Sequence, residues 1–320
     1  MQVHFQLNNL PTFKNAVITI GTFDGVHTGH QSIFSKLKDQ AKLVGGESVV
    51  ITFHPHPRRV LSNPDAPALL TSLDERIERL QKHGIDHLVI VPFDPAFSDM
   101  QAEEYVRDFL IANFHPKCIV IGYDHRFGKN RTGDFKILSE LGNNYGYNVC
   151  EIPETLLNQS RISSTHIRHA LLNGNIKVAN ELLSYSFQLS GIVVEGDKLG
   201  RTLGFPTANL AITDSDKLIP SSGVYAVSVH LQEKGSSPRH FKGMMNIGYR
   251  PTVNGRERRI EVHIFSFDEE IYGKRLRVGL LDYVRKEMKF SGLEALKDQL
   301  KFDKKNITDL LKNFNTEPLF

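Results

Sequence analysis

Ala16-Val17-Ile18-Thr19-Ile20-Gly21-Thr22-Phe23-Asp24-Gly25-Val26-His27-Thr28-Gly29-His30 is the stretch that decides the first half of the fold. Its first five residues are an apolar, β-branched run that reads as a buried strand. After it, Gln31-Ser32-Ile33-Phe34-Ser35-Lys36-Leu37-Lys38 carries apolar residues at helical spacing. Glycines and two histidines therefore sit where a strand hands over to a helix. The free N–H groups and dipole of a helix N-terminus make such a place an anion site. His27 and His30 add two imidazoles able to donate to a phosphate, and Gly29 lets the backbone approach closely. One histidine there would read as a surface turn residue; two around a glycine read as a nucleotide-phosphate site.

A chain of 320 residues suggests about two domains. Its 40% hydrophobic and 23% charged residues fit a globular protein, and a net charge of +3 without a basic block gives no reason to expect nucleic acid. No run reaches the length of a membrane helix, and the N-terminus lacks the pattern of a secretory signal. Cys118 and Cys150 lie in separate strand-like runs and read as two buried thiols. The expectation is a cytoplasmic protein without membrane attachment, a monomer or weak homo-oligomer.

From residue 16 to about 183, apolar strand runs alternate with helical patterns. Further strands are expected at Ser48–Phe53, His87–Val91, Cys118–Ile121 and Asn148–Ile152. Ser72-Leu73-Asp74-Glu75 is a capping box opening a helix to His83, stopped by Gly84. Ser98 to Gln101 caps the next helix, and a short one is expected near Phe135 to Leu141. The alternation predicts an α/β domain with a parallel sheet covered on both faces. Ligands bind such sheets at the C-terminal strand ends, where His54-Pro55-His56-Pro57 and Asp124 to Gly128 also fall. Ile162-Ser163-Ser164-Thr165-His166-Ile167-Arg168 opens a later helix, as a plain N-cap or a second anion site with Arg168 one turn inside. No P-loop and no Gly-x-Gly-x-x-Gly fingerprint is present.

His-x-Gly-His after the first strand, with Ser-Ser-Thr-x-Ile-Arg near the domain end, resembles the nucleotidyltransferase superfamily. Gly21 to His30, Phe53 to Pro57, Gly122 to Gly128 and Ile162 to Arg168 are similar to the adenylyltransferase module of prokaryotic bifunctional riboflavin kinase/FAD synthetases. The resemblance implies a Rossmann-like domain that transfers AMP from ATP to FMN. It assigns His27, His30, Gly21, Thr22, Phe23 and Gly29 to ATP and its phosphates, and Ser164, Thr165 and Arg168 to the leaving pyrophosphate. It gives Phe53, His54, Asp124 and Phe127 to the flavin. His125 departs from the family, where many members carry Phe.

Beyond Phe187 the pattern changes. Leu189–Glu195, Gly223–Leu231, Phe241–Ile247, Arg259–Phe267 and Leu276–Val284 read as strands with no helices between them, predicting an antiparallel barrel or sandwich. Ser291-Gly292-Leu293-Glu294 reads as a capping box, followed by helices near 292–301 and 306–314. Gly196 to Asn209 is a glycine-rich loop ending Pro-Thr-Ala-Asn, readable as a long hairpin loop or as a phosphate wrap with hard-cation ligands. In Ile260 to Phe265, alternation puts Glu261 and His263 on the face opposite Ile260, Val262 and Ile264, which makes Glu261 a solvated carboxylate or a general base.

These stretches, with Asn246 to Thr252 and Tyr272 to Lys274, resemble the riboflavin kinase module of the same bifunctional family, and motif order agrees along residues 15 to 312. The resemblance implies an antiparallel β-barrel. It assigns Gly196, Lys198, Gly200 and Gly204 to ATP, Thr207 and Asn209 to ATP and Mg²⁺, and Glu261 to deprotonation of the riboflavin 5′-hydroxyl. The expected organisation is an adenylyltransferase domain over 1–185 and a kinase domain over 186–320. Together they turn riboflavin and ATP into FMN and then FAD. A different nucleotidyltransferase on the same fold and a non-enzymatic flavin carrier are the rival readings.

Overall fold

Val17–Ile20 forms the centre of a six-stranded parallel sheet. The computed structural model describes residues 1–61, 66–153, 162–232, 237–252 and 255–312. The chain divides into two compact units, Met1–Ser164 and a second from Thr165 onward. In the first unit the strands are β1 (Gln2–His4), β2 (Val17–Ile20), β3 (Ser48–His54), β4 (His87–Pro92), β5 (Cys118–Gly122) and β6 (Asn148–Ile152). They pair in the order β1-β4-β3-β2-β5-β6, all parallel.

Both faces are apolar because the strands are buried on both. Ile18, Ile51, Val89 and Ile119 pack with Phe109 and Phe114 on one side, and Val17, Val50, Leu88 and Val120 with Phe34, Leu37 and Leu80 on the other. The covering helices include α1 (Thr28–Leu43), α2 (Leu73–Gln81) and α3 (Phe135–Tyr145). The Ser72 capping box forms as read: Glu75 N donates to Ser72 Oγ (3.2 Å) and Ser72 N to Glu75 Oε2 (3.0 Å). The following helix starts at Gln101, whose N–H donates to Glu104 Oε2 (3.0 Å), while Ser98 ends a separate turn capped by Asp94. Its middle, Tyr105–Ile111, is wound as a π-helix.

β1 was not legible in the sequence, being three residues of mixed polarity held by pairing with β4. After β4 the chain crosses back over β3 and β2 to place β5 on the other side of β2. The order therefore reverses between β2 and β5, and the crevice beyond their C-terminal ends is where this architecture binds ligands.

The second unit begins with α4 (Ser164–Leu172, its first residue counted with the sheet unit) and α5 (Ile176–Leu183). A turn at Gly174 (φ +75°) separates them. Both pack on the barrel: Asn180 Nδ2 donates to Leu280 O (2.8 Å) and Ser221 N to Leu171 O (3.3 Å). The barrel strands are β7 (Gln188–Val194), β8 (Ala208–Ile212), β9 (Gly223–Gln232), β10 (Arg239–Thr252), β11 (Gly255–Ile264) and β12 (Arg275–Arg285). They close antiparallel in the order β10-β11-β8-β7-β12-β9. The sandwich alternative is thereby excluded. β8 adds a strand to the five expected, because the Pro-Thr-Ala-Asn end of the glycine-rich loop runs straight into it. Register aligns Val193, Leu210, Val262, Met245, Tyr225, Leu280 and Leu276 on the inner face.

At the C-terminus the structure corrects the sequence reading. One helix, α6 (Leu293–Leu311), replaces the two expected, and Gly292 rather than a capping serine precedes it. Residues 313 and 314 lie outside those described. The helix stays continuous because Leu296, Leu300, Ile307 and Leu311 keep one stripe against Ala226 and Met244 on the outer barrel wall. Asp303, fully buried, accepts from Arg285 Nε (3.0 Å) and Nη2 (2.7 Å) and from Gln299 Nε2 (2.8 Å), which fixes α6 to β12.

Candidate active sites

The first site grows from the end of β2. Gly21 N donates to Ile51 O on β3 (3.0 Å), and the chain then turns through Phe23 (φ +46°), Gly25 (φ +86°) and Val26 (φ +41°). Left-handed backbone at Phe and β-branched Val costs about 1–3 kcal/mol each and persists only where the surroundings over-determine it. Asp24 supplies that. Its buried carboxylate accepts from Leu70 N (3.0 Å), Thr71 N (3.0 Å) and Thr71 Oγ1 (3.1 Å), while Gly25 N donates to Thr71 Oγ1 (3.0 Å). The Phe23 ring folds back over Gly21, where a Cβ would come within 2.9 Å of it.

His27 precedes α1 in extended backbone, and its ring stacks on that of His30 with centroids 3.6 Å apart and planes at 18°. Gly29 sits against the pair: a Cβ there would lie 3.2 Å from His27 Nδ1. Burial, with His27 and Arg76 as the neighbouring positive or titratable groups, holds the His30 imidazole well below its ordinary range. His30 is therefore neutral near pH 7, and its buried Nδ1 takes no hydrogen bond among the described residues. The edge of Phe23 closes over it at 5.2 Å.

Ser164, the first residue of α4, donates from Oγ to Asp24 O (3.0 Å). Thr165 follows Ser164 directly in that helix, and Arg168 stands one turn further on. The flavin candidates sit at the ends of the strands flanking β2. Phe53 and His54 end β3, Asp124 and Phe127 follow β5. Phe53 and Phe127 are buried in one aromatic run through Phe97 and Tyr105, with centroid steps of 5.6, 5.8 and 5.2 Å, while His54 and Asp124 are exposed. His125 lies over Phe127 (6.0 Å, 28°), and burial pushes its imidazole down to about 4. At neutral pH it is an uncharged aromatic face.

The second site lies on the outer barrel wall. Antiparallel register sets Asn209 (β8) opposite Glu261 (β11) and Glu261 opposite Asn246 (β10), so the three side chains form one row on one face. Val262, next along β11, faces inward opposite Met245 and Ala208, as the alternation predicted. The loop before β8 folds against the row. A Cβ on Gly196 would fall 2.1 Å from Asn209 Nδ2, and one on Gly200 would fall 3.4 Å from Thr207 Oγ1. Gly204 (φ +82°) and Lys198 (φ +60°) turn that loop, and His263 Nδ1 meets Pro206 O at 2.8 Å.

Asp197 on the same loop pairs with Arg250 of β10 and with Arg259 of β11 (2.6 Å). Burial lifts the Glu261 carboxyl above the usual carboxylate range. The Arg259 and Arg250 guanidiniums pull it back down, and Asp197 and Glu287 add to the rise. Thr207 and Asn209 offer neutral oxygen donors beside a carboxylate. That suits a cation such as Mg²⁺, which takes few protein ligands and completes its shell with phosphate and water.

Three contributors escaped the sequence reading. Asp24 was quoted inside the β2 turn without a role. Asn246 stood in a quoted motif, but its place beside Glu261 needs the β10–β11 register. Arg76 left a usable signal: it stands on the apolar face of its helix, among Leu73, Ile77 and Leu80.

A family model described as FAD synthetase matches residues 10–166, and one described as riboflavin kinase matches residues 183–311. The chain is 37% identical over 290 residues to the bifunctional riboflavin kinase/FMN adenylyltransferase of Escherichia coli K12, covering 91% of each protein. It is 37% identical over 305 residues to that of Buchnera aphidicola subsp. Schizaphis graminum, covering 94% of this chain and 95% of the relative. A crystal structure described as a macrolide-efflux protein from Streptococcus pneumoniae matches with TM-score 0.85 and 32% identity, over 98% of this chain and 100% of that one. No helix among the described residues is long and apolar enough to cross a membrane. With both halves matched in order and nine-tenths of the curated relatives' length covered, the chain belongs to the bifunctional riboflavin kinase/FMN adenylyltransferase family.

Proposed function

We propose that this chain phosphorylates riboflavin to FMN at the outer barrel wall and adenylylates FMN to FAD at the β2 turn, with ATP as co-substrate in both steps. The observation that carries the reading is the presence of two chemically distinct constellations on two separate folds. The stacked His27–His30 pair stands at a parallel-sheet crevice, and the Asn209–Glu261–Asn246 row stands on a barrel.

In the adenylylation step an FMN phosphate oxygen attacks the α-phosphorus of ATP and pyrophosphate leaves. Such a step needs positioning and charge stabilisation more than a side-chain nucleophile. His27 and His30 donate to the phosphates, Gly21, Thr22, Phe23 and Gly29 let the backbone close on the nucleotide, and Ser164, Thr165 and Arg168 hold the departing pyrophosphate. Phe53, His54, Asp124 and Phe127 receive the flavin. In this assignment α4 and α5 serve the adenylyltransferase, and the functional boundary is placed at 185/186.

In the kinase step Glu261 takes the proton of the riboflavin 5′-hydroxyl, since an alcohol is a poor nucleophile until it is deprotonated. Gly196, Lys198, Gly200 and Gly204 wrap the nucleotide, and Thr207 and Asn209 hold Mg²⁺ with it. Bound there, Mg²⁺ would neutralise phosphate charge. The same reading places the enzyme in the cytoplasm as a monomer or weak homo-oligomer, acting on small molecules and on neither nucleic acid nor membrane.

The test is chromatography of flavins after incubation with Mg-ATP. His30→Ala is expected to stop FAD formation, by at least about 100-fold, and to leave riboflavin phosphorylation intact. Glu261→Ala is expected to do the reverse when FMN is supplied. Loss of both activities from either substitution in a folded protein would refute the two-site assignment, and flavin binding without turnover by the unaltered protein would favour a carrier.

A further inference from the structure

Arg76 is 1% exposed, although it belongs to a surface helix whose sequence, Asp74-Glu75-Arg76-Ile77-Glu78-Arg79, looks ordinary. Its Nη1 donates to Thr52 Oγ1 (3.2 Å) and to Phe53 O (3.3 Å), both at the C-terminal end of β3. Thr52 Oγ1 passes the connection on, donating to Thr22 O (3.1 Å) in the β2 turn. That turn is already bound to the approach to α2, because Asp24 accepts from Leu70 N, Thr71 N and Thr71 Oγ1. A circuit results: turn to α2 through Asp24, α2 to β3 through Arg76, and β3 back to the turn through Thr52.

Packing alone gives no reason for a guanidinium at this point. Leu73, Ile77 and Leu80 supply the apolar face of α2, and a permanent charge is costly to bury. We infer that Arg76 is a positioning residue for adenylyl transfer, which locks the Gly21–Val26 turn to the end of β3. The inference rests on the assignment of ATP to His27 and His30 above. The titratable and charged groups acting on His30 are His27 on its own turn and Arg76 on α2, and burial together with both keeps the ring neutral. A neutral His30 donates one N–H to a phosphate from a turn that the Arg76–Thr52 connection holds in place.

The test compares Arg76→Gln and Arg76→Lys in the full chain, with FMN and Mg-ATP as substrates. Arg76→Gln is expected to lower kcat for FAD formation about 100-fold and to change KM for ATP by less than about threefold, because the loop is displaced rather than the nucleotide lost. Arg76→Lys, which keeps the charge, is expected to recover about a tenth of wild-type kcat. NMR titration of ring-labelled histidine, with the His30 signal assigned through His30→Gln, should show its midpoint moving up in Arg76→Gln and staying low in Arg76→Lys. Riboflavin phosphorylation by the same proteins serves as the internal control and should not change.

Arg76→Gln turning over at the wild-type rate overturns the inference. So does a loss equal in both variants with the His30 midpoint unmoved, which marks a packing role only. If Arg76→Gln loses the amide dispersion of the first unit, Thr52→Val breaks the same circuit by one hydroxyl. It is then expected to cost about tenfold in kcat, and unchanged kcat there overturns the proposal. A wild-type protein that makes no FAD refutes the underlying assignment instead, and the two failures are told apart by that control.

Discussion

Glu261 shows how one side chain carries a pH dependence that its neighbours set. Burial raises its carboxyl, so the proton stays on at pH values where an exposed glutamate, titrating at about 4.3, has lost it. A base works only when deprotonated. With Glu261 in the proposed role of base, riboflavin phosphorylation is expected to fall toward acid pH, with the acid limb of kcat/KM displaced upward from that of an exposed glutamate. Arg259 pulls the carboxyl down, so Arg259→Gln should move the limb further up while FAD formation from FMN keeps its own profile. A limb that stays put, or moves down, would separate Glu261 from the proton transfer. His125 runs the other way, since a ring already neutral near pH 7 gives the flavin step no new titration in that range.

The element that decides the first site is the turn after β2. Asp24 gathers three hydrogen bonds in the interior, and Asp24→Ala strands two buried backbone N–H groups while releasing left-handed Phe23 and Val26. The expected cost is about 3 kcal/mol in denaturant unfolding of the first unit, with FAD formation lost and riboflavin phosphorylation retained. Most of this element was legible. An apolar run, a glycine-bearing turn and a helical repeat state strand, turn and helix in the one-dimensional pattern, and so β2 to β6 and the histidine pair were readable. Charged residues that point inward are harder to read: Arg76 shows only as a charge on the apolar face of α2, and both Asp24 and Arg76 take their partners from groups 23 to 47 positions away in the chain. β1 and β8 escaped for a related reason: short strands are held by their partners more than by their own composition. The C-terminal helix was misjudged at Ser291, where a local capping signature was overridden by the stripe along α6.

At the scale of the molecule, the proposed assignment of the two activities to two folds predicts that they are separable. A mixture of His30→Ala and Glu261→Ala proteins should convert riboflavin to FAD although neither does so alone, with a lag while FMN passes through solution. Failure of the mixture, with each single activity intact, would mean that FMN is not released between the steps. The two folds also differ in how they finish their hydrogen bonding. Every named barrel strand is paired on both sides, so those strands leave no open edge among the described residues. The parallel sheet ends in β1 and β6, guarded by the brevity of the first and by Asn148 and Glu151 exposed on the second. Slow self-association on storage would begin at those edges, and an ageing preparation would lose the capacity to make FAD while it still made FMN.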